Sequence, residues 1–360
     1  MKLCILITGL GTGGAENNLL KILPKLNIDV FIISLTNNNT IGKELEKKGI
    51  KIHYLGLKKN LFNLPSIILK FRNVIKKEKP DILNSYLIHS NLFGRIFGKL
   101  FGVRRVVCSV RNKHINKPFL NLIDRLTSAL VNLYLPNSNA VARFMISKGI
   151  PKNKIKVIPN GIDFSEIIEK NEKTTKKARE ILNLKQNDYI IGTVGNLQEK
   201  KDHKTVIRAL SKLNKNVTFC IIGKGPLKNS LMNEAERLGI TNRVIIKDNI
   251  SNAKKVIAAF DVFVLSSLHE GMSNALLEAM ASKVPVIVSD IEENKELVRG
   301  GVEGLIFRTK NPADLKKKIA LLMGKSRKRI SLGKNAYKKV KEEYNLKSII
   351  AKYREVLLVR

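Results

Sequence analysis

Runs of consecutive apolar residues alternate along this chain with stretches whose apolar positions recur at helical spacing. In the first half, residues 2–8, 29–34, 51–54, 81–84, 105–110, 133–136 and 154–158 predict strands, and 15–26, 64–77 and 91–101 predict helices between them. The second half repeats the rhythm, with strands expected at 189–194, 217–222, 243–246, 261–265 and 285–288. Strand–helix alternation of this kind builds parallel sheets covered by helices on both faces.

The series breaks after "IPNGIDFSE". Asn160-Gly161 is a turn signal, and the charged stretch "EKNEKTTKKAREILNLKQND" follows at 169–188. A length of 360 residues accommodates two domains. The fold class expected is α/β, with two Rossmann-like doubly wound domains, 1–163 and 164–345, facing a cleft where the carboxyl ends of their strands meet.

A hydrophobic content of 44% with 27% charged residues is that of a globular chain. Cys4, Cys108 and Cys220 lie in strand-like runs without metal-ligand spacing, and read as reduced packing residues of a cytosolic protein. The opening "MKLCILITGL" runs straight into a glycine turn, so a first strand is favoured over a signal peptide. No apolar run approaches the ~20 residues of a membrane span.

The net charge of +36 is uneven: residues 1–163 hold 27 Lys and Arg against 8 Asp and Glu, and within 91–160 the one acid is Asp124. Such a field attracts acidic lipid surfaces, phosphorylated lipids or nucleic acid. Aromatic content of 6% without Trp, and no aromatic–basic platform, argue against nucleic acid.

Three glycine-bearing strand ends carry candidate chemistry. "TGLGTGGAEN" places Gly9, Gly11, Gly13 and Gly14 ahead of a helix, where glycine permits either a tight turn or close approach of amides to a phosphate. "TVGNLQEKKDH" offers Gly195, Lys200 and Lys201 before a helix beginning near Asp202. "IIGKGPL" puts Pro226 where a first helical turn is expected.

The most informative segment is "SSLHEGMSNALLEAMASKVPVIVSD", 266–290. It reads as a buried helix and strand, yet holds Glu270 and Glu278, and a carboxylate in apolar surroundings costs several kcal/mol unless satisfied. Ser273 and Asn274 are good N-caps for a helix running to about Ser282. Glu278 then shares a face with Asn274, and Glu270 precedes the helix start. Two acceptors flanking an anion-attracting helix end suit a nucleotide sugar, with hydroxyls at both ends of a diphosphate.

The segment resembles the Glu-x7-Glu region of the retaining family 4 glycosyltransferases, which have the two-Rossmann-domain GT-B architecture. Gly13-Gly14-Ala15-Glu16, Ile158-Pro-Asn-Gly-Ile-Asp163, Gly195-x-Leu-x3-Lys201 and Ile222-Gly-x-Gly-Pro226 stand in that family's order and spacing. The resemblance implies that Glu270 contacts donor-sugar hydroxyls and Glu278 the ribose diol. It implies that backbone amides around Gly271, Met272, Ser273, Asn274 and Ala275, with Lys201, hold the diphosphate, and that Gly13-Gly14 closes on it. It also places a final helix, 346–358, back on the first domain. Two departures stand out. Asn196 occupies a position where the family often has Arg, and Arg111-Asn112 stand where many members have a His near the donor sugar, with His114 read as incidental.

The expected reaction moves a hexose or N-acetylhexosamine from a nucleoside-diphosphate sugar to a hydroxyl of a lipid-linked or cell-surface glycan. Glu270, Lys201 and Arg111 are the candidate catalytic residues, and no cofactor is expected. Asp290-Ile-Glu292 is only a near match to an Asp-x-Asp metal motif. With no metal expected, fixed positive charge at Lys201 and the helix start has to stabilise the leaving group. Retention follows if the leaving phosphate takes the acceptor proton. The basic amphipathic stretches 64–77 and 91–105 are further read either as sheet covers or as faces for an anionic membrane, giving a cytoplasmic enzyme peripheral to the inner membrane face. The competing classes are a nucleotide-sugar epimerase of the same architecture, a nucleic-acid-binding protein and a nicotinamide dehydrogenase.

Overall fold

A computed structural model describes residues 1–58, 60, 62–113, 118–248, 250 and 252–358. The chain divides into two compact units, Met1–Gly161 with Leu346–Arg360, and Ile162–Asn345.

The first unit holds β1 (Lys2–Ile7), β2 (Asp29–Ser34), β3 (Lys51–Tyr54), β4 (Ile82–Tyr86), β5 (Arg105–Val110) and β6 (Leu133–Pro136). Its helices are α1 (Gly14–Ile22), α2 (Thr40–Lys47), α3 (Leu64–Glu78), α4 (Ile88–Leu100), α5 (Pro118–Leu126) and α6 (Asn139–Ser147). The strands form one parallel sheet in the order β3-β2-β1-β4-β5-β6.

The second unit begins with α7 (Glu172–Leu182) and β7 (Tyr189–Val194), then α8 (His203–Leu210), β8 (Val217–Ile222), α9 (Lys228–Arg237) and β9 (Val244–Lys247). It continues through β10 (Val262–Leu265), α10 (Asn274–Ala281), β11 (Val286–Ser289), α11 (Glu292–Leu297) and β12 (Gly304–Phe307), and ends on α12 (Pro312–Gly324) and α13 (Ser326–Glu343). Its parallel sheet has the order β12-β11-β10-β7-β8-β9. The last helix, α14 (Leu346–Leu358), packs in the first unit's core through Leu346, Ile349, Ile350, Tyr353 and Leu357.

Strands that read as unbroken apolar runs are those buried on both faces. β8, β10 and β11 are buried at every residue. The three cysteines are free and buried.

Each sheet is wound outward from its first strand in one direction and then resumed on the other side. The order of strands therefore reverses between β1 and β4, and again between β7 and β10. At such a point neighbouring strands send their following loops to opposite faces and leave a crevice at their carboxyl ends. The loops after β7 and β10 meet at this place in the second unit.

Several expectations need correcting. Residues 154–158 do not form a strand. Tyr134 and Ile155 make a single parallel bridge, and Ile158 N–H donates to Pro136 C=O at 3.0 Å. The reciprocal bond needed to extend the ladder falls on Pro136, which has no amide hydrogen. The helix expected at 15–26 ends at Ile22 and tightens into a 3-10 turn, Leu23–Lys25, around Pro24. Pro226 lies in the turn before α9, not in its first helical turn. β12 was not anticipated at all. Of the two amphipathic stretches read as sheet covers or membrane faces, α3 buries Ile67, Phe71 and Ile75 and α4 buries Phe93, while Ile96 and Leu100 of α4 stay exposed. Among the described residues, no helix is long and apolar enough to cross a membrane.

Candidate active site

Two loops at the carboxyl edge of the second sheet are tied together by backbone. Leu268 N–H donates to Lys200 C=O at 2.8 Å, and Ser266 Oγ donates to Lys201 C=O at 2.7 Å. This pins the loop after β10 against the 3-10 turn Glu199–Lys201 that follows β7. Lys201 Nζ thereby reaches Glu270 Oε1 at 2.5 Å, across 69 residues of sequence, and Ser267 Oγ donates to the same oxygen at 2.7 Å. Glu270 is buried at 7% exposure. Burial pushes its carboxyl up, but the Lys201 charge and hydrogen bond, with Ser267, outweigh burial and hold it below the usual carboxylate range.

The glycines of this edge serve close packing. Gly223, at φ +156°, crosses over the Gly195 backbone, and a Cβ on Gly225 would stand 2.6 Å from Leu197 O. Gly195 N–H donates to Ile222 C=O and Leu197 N–H to Lys224 C=O, both at 3.0 Å. A side chain at Gly195 would lie 3.3 Å from Lys201 Cε, so its absence leaves the path of the lysine stem open.

Helix α10 starts beside Glu270. Ser273 is its N-cap, with Oγ accepting from Leu276 N–H at 3.3 Å, and Asn274 is the first helical residue. Gly271 and Met272 are buried, Met272 as part of the hydrophobic core, while Asn274, Ala275 and Glu278 are half-buried. Glu278 follows Asn274 by one turn, as the spacing predicts. Asn196 is exposed.

A layer behind these residues was not anticipated. Ser289 Oγ donates to Ser267 C=O at 2.6 Å, and Asn294 Nδ2 donates to Ser289 Oγ at 3.0 Å and to its C=O at 3.1 Å. These bonds fix the loop that carries Glu270. Serines closing the apolar runs of β10 and β11 were the available signal, but their partners are remote in sequence. Asp290, the near match to a metal motif, accepts from Thr309 N–H at 2.9 Å and Thr309 Oγ1 at 2.5 Å. Among the described residues, no three His, Cys, Asp or Glu side chains are grouped to hold a metal.

The profile of the family described as "Glycosyl transferases group 1" matches residues 174–339, and that of "Glycosyltransferase Family 4" matches 13–166. The chain belongs to the family 4 glycosyltransferases.

Among the relatives of this glycosyltransferase is the N-acetylgalactosamine-N,N'-diacetylbacillosaminyl-diphospho-undecaprenol 4-alpha-N-acetylgalactosaminyltransferase of Campylobacter jejuni. The two are 27% identical over 86% of this chain and 87% of that protein. The capsular polysaccharide biosynthesis glycosyltransferase CapM of Staphylococcus aureus is 28% identical over 91% of this chain and 88% of its own. HepE of Anabaena, solved in complex with UDP-glucose, superposes with a TM-score of 0.90 at 22% identity, covering 99% of both chains. That likeness identifies the fold as GT-B.

In the first unit of the glycosyltransferase, Gly13 is the N-cap of α1 in extended conformation, at φ −137°. A Cβ there would meet only the mobile end of the Glu16 side chain, its carboxylate. Burial pushes the Glu16 carboxyl up. Gly14 opens the helix. At the end of β5, the Arg111 guanidinium lies 4.9 Å from the Tyr86 ring centroid and Nη1 donates to Asn160 Oδ1 at 3.1 Å. Its Nε is buried with no hydrogen-bond partner. The Tyr86 hydroxyl bonds the Tyr353 hydroxyl of α14 at 2.7 Å, and burial, with Tyr86 adding, pushes the Tyr353 phenol well up. His114 lies outside the described residues.

Proposed function

We propose that this enzyme transfers a hexose or N-acetylhexosamine from a nucleoside-diphosphate sugar to a hydroxyl of a lipid-linked or cell-surface glycan, with retention of configuration and without a metal ion. The observation that carries the reading is the Lys201–Glu270–Ser267 cluster beside the start of α10, at the reversal of strand order. Relatives named for transfer to a diphospho-undecaprenol glycan and for capsule biosynthesis support the acceptor class, and the HepE complex supports the donor class.

In this reading the Glu270 carboxylate accepts hydrogen bonds from donor-sugar hydroxyls, with its charge kept in place by Lys201. Lys201 and the partial positive charge at the start of α10 stabilise the departing diphosphate. Glu278 binds the ribose diol, and Arg111 is the first unit's candidate for a catalytic role. The bond from the anomeric carbon to the diphosphate oxygen breaks while the acceptor oxygen bonds that carbon from the same face. The acceptor proton passes to the departing phosphate oxygen, so no protein nucleophile is used. The chain acts as a peripheral enzyme at the inner membrane face.

A thermal-shift panel of nucleotide sugars, followed by product analysis with membrane extract, tests this. One nucleotide sugar should raise the melting temperature, and Glu270→Gln should remove the part of the shift that exceeds the free nucleoside diphosphate's. The product should keep the donor's anomeric configuration and form in the presence of EDTA. Failure of every nucleotide sugar to shift the transition overturns the reading, and an inverted product overturns its stereochemistry.

A further inference from the structure

Helix α5 turns an apolar face to solvent. Phe119, Leu122 and Leu126 are 70%, 51% and 71% exposed. They recur at helical spacing and so form one stripe. No other helix among the described residues leaves three large apolar side chains exposed.

The charges around the stripe are of one sign. Asp124 is turned inward, its carboxylate 2.8 Å from Nη2 of the buried Arg95. Arg125 is exposed on the same helix, and its Cδ lies 3.1 Å from the place a Cβ would take on Gly149. The neighbouring Lys148 is exposed too, and lines a cavity with Asn121 and Asp124 of α5. An apolar stripe rimmed by cations, with its acid already neutralised, matches an interface of acyl chains below and phosphates above. A soluble protein partner would not require that no acid remain unpaired along the rim.

The position of α5 fits this occupant. The helix follows β5, whose end carries Arg111, and Asn112 lines the same cavity as Asn121. We propose that α5 seats the enzyme on an anionic lipid bilayer. Phe119, Leu122 and Leu126 enter the acyl boundary, and Arg125 and Lys148 meet lipid phosphates. The proposal rests on the reading that the acceptor is lipid-linked, and it names the surface that brings such an acceptor to the carboxyl edge of the first sheet.

Flotation of the full chain with vesicles tests it, using phosphatidylcholine alone and phosphatidylcholine with about one-third phosphatidylglycerol, at about 0.1 M salt. The wild type should float with the anionic vesicles and stay behind with the neutral ones. Phe119→Ser/Leu122→Ser/Leu126→Ser should lower the bound fraction by at least about tenfold. Arg125→Glu/Lys148→Glu should remove the preference for anionic lipid. Leu69→Ser/Leu100→Ser, at exposed leucines of α3 and α4, should float like the wild type.

Equal flotation with both vesicle types overturns the proposal. So does a triple-Ser variant that floats undiminished, or one that floats undiminished while changing oligomeric state on a sizing column, which would assign the stripe to a protein interface. The same variants are run in the nucleotide-sugar thermal shift. Donor binding without flotation defeats the lipid proposal alone, whereas flotation without donor binding defeats the transferase reading alone.

Discussion

Replacing Lys201 by Met removes a charge from a buried pair and leaves a side chain of similar reach. Unit charges 2.5 Å apart attract by about 6–7 kcal/mol at an effective dielectric of about 20, much of which is offset by the desolvation of both ions. Removing one partner typically costs about 3–5 kcal/mol, because the other charge stays buried. Glu270 has an escape, since it can take up a proton. At pH 7 that costs about 3.4 kcal/mol for a carboxyl of ordinary pKa 4.5, and the cost falls by about 1.4 kcal/mol per pH unit on acidification. In the variant the folded state therefore binds a proton that the unfolded state releases, and stability declines as pH rises.

Lys201→Met should thus destabilise the protein by about 3–4 kcal/mol at pH 7 and about 1 kcal/mol at pH 5. Urea unfolding at pH 7, 6 and 5 measures this. Lys201→Met/Glu270→Gln removes the stranded charge while keeping an acceptor for Ser267, and should return to within about 1 kcal/mol of wild type at each pH. Turnover should stay lost in both variants if the pair acts on the donor. A deficit that does not vary with pH would mean that lost packing, not a stranded carboxylate, is responsible. A double variant that regained turnover with stability would reduce the pair to a structural ion bridge.

Two further outcomes follow from the first unit. Glu78 accepts from Lys2 at 2.7 Å and Lys51 at 2.6 Å, and the hydrogen bond from Lys2, then that from Lys51, with burial opposing, hold its carboxyl down at about 2. A lowered folded pKa stabilises above the ordinary value and loses that contribution as pH falls through the folded one. Because the Lys51 side chain is 56% exposed, Glu78→Gln should cost only about 1–2 kcal/mol at neutral pH. That difference should be constant down to the ordinary value of 4.5 and shrink between there and about 2. A difference that did not shrink below pH 4.5 in urea titrations would mean that lost packing, not the charge on Glu78, is responsible. Arg111→Lys keeps the charge but loses the planar contact with Tyr86, and should lower kcat by about tenfold with little change in melting temperature. Unchanged turnover would remove Arg111 from the reaction.

The strands at 29–34, 105–110, 133–136, 189–194 and 217–222 were legible to the residue, because parallel strands covered on both faces are largely apolar, and the edge strand 51–54 was legible from its β-favouring Ile52 and Tyr54. So was the start of α10, where a hydroxyl residue must satisfy the first amides. β12 was not, since it opens on Gly304, which reads as a turn residue but is there for close approach to the Val286 backbone, and 154–158 misled because one missing amide hydrogen on its neighbour decides whether a ladder extends. The stretches 64–77 and 91–105 stayed open between sheet cover and membrane face for a related reason: an amphipathic pattern gives the period of a stripe but not what covers it.

The sequence by itself determined the periodicity, the turn and capping chemistry, and the residue types able to handle a sugar and a diphosphate, since these rest on neighbours within a turn or two. Only the tertiary structure decided that Lys201 meets Glu270, that Ser267, Ser289 and Asn294 stand behind them, and that α5 leaves Phe119, Leu122 and Leu126 exposed. Those contacts depend on the order in which strands pair. That order is set by packing over the whole sheet, and no local pattern records it.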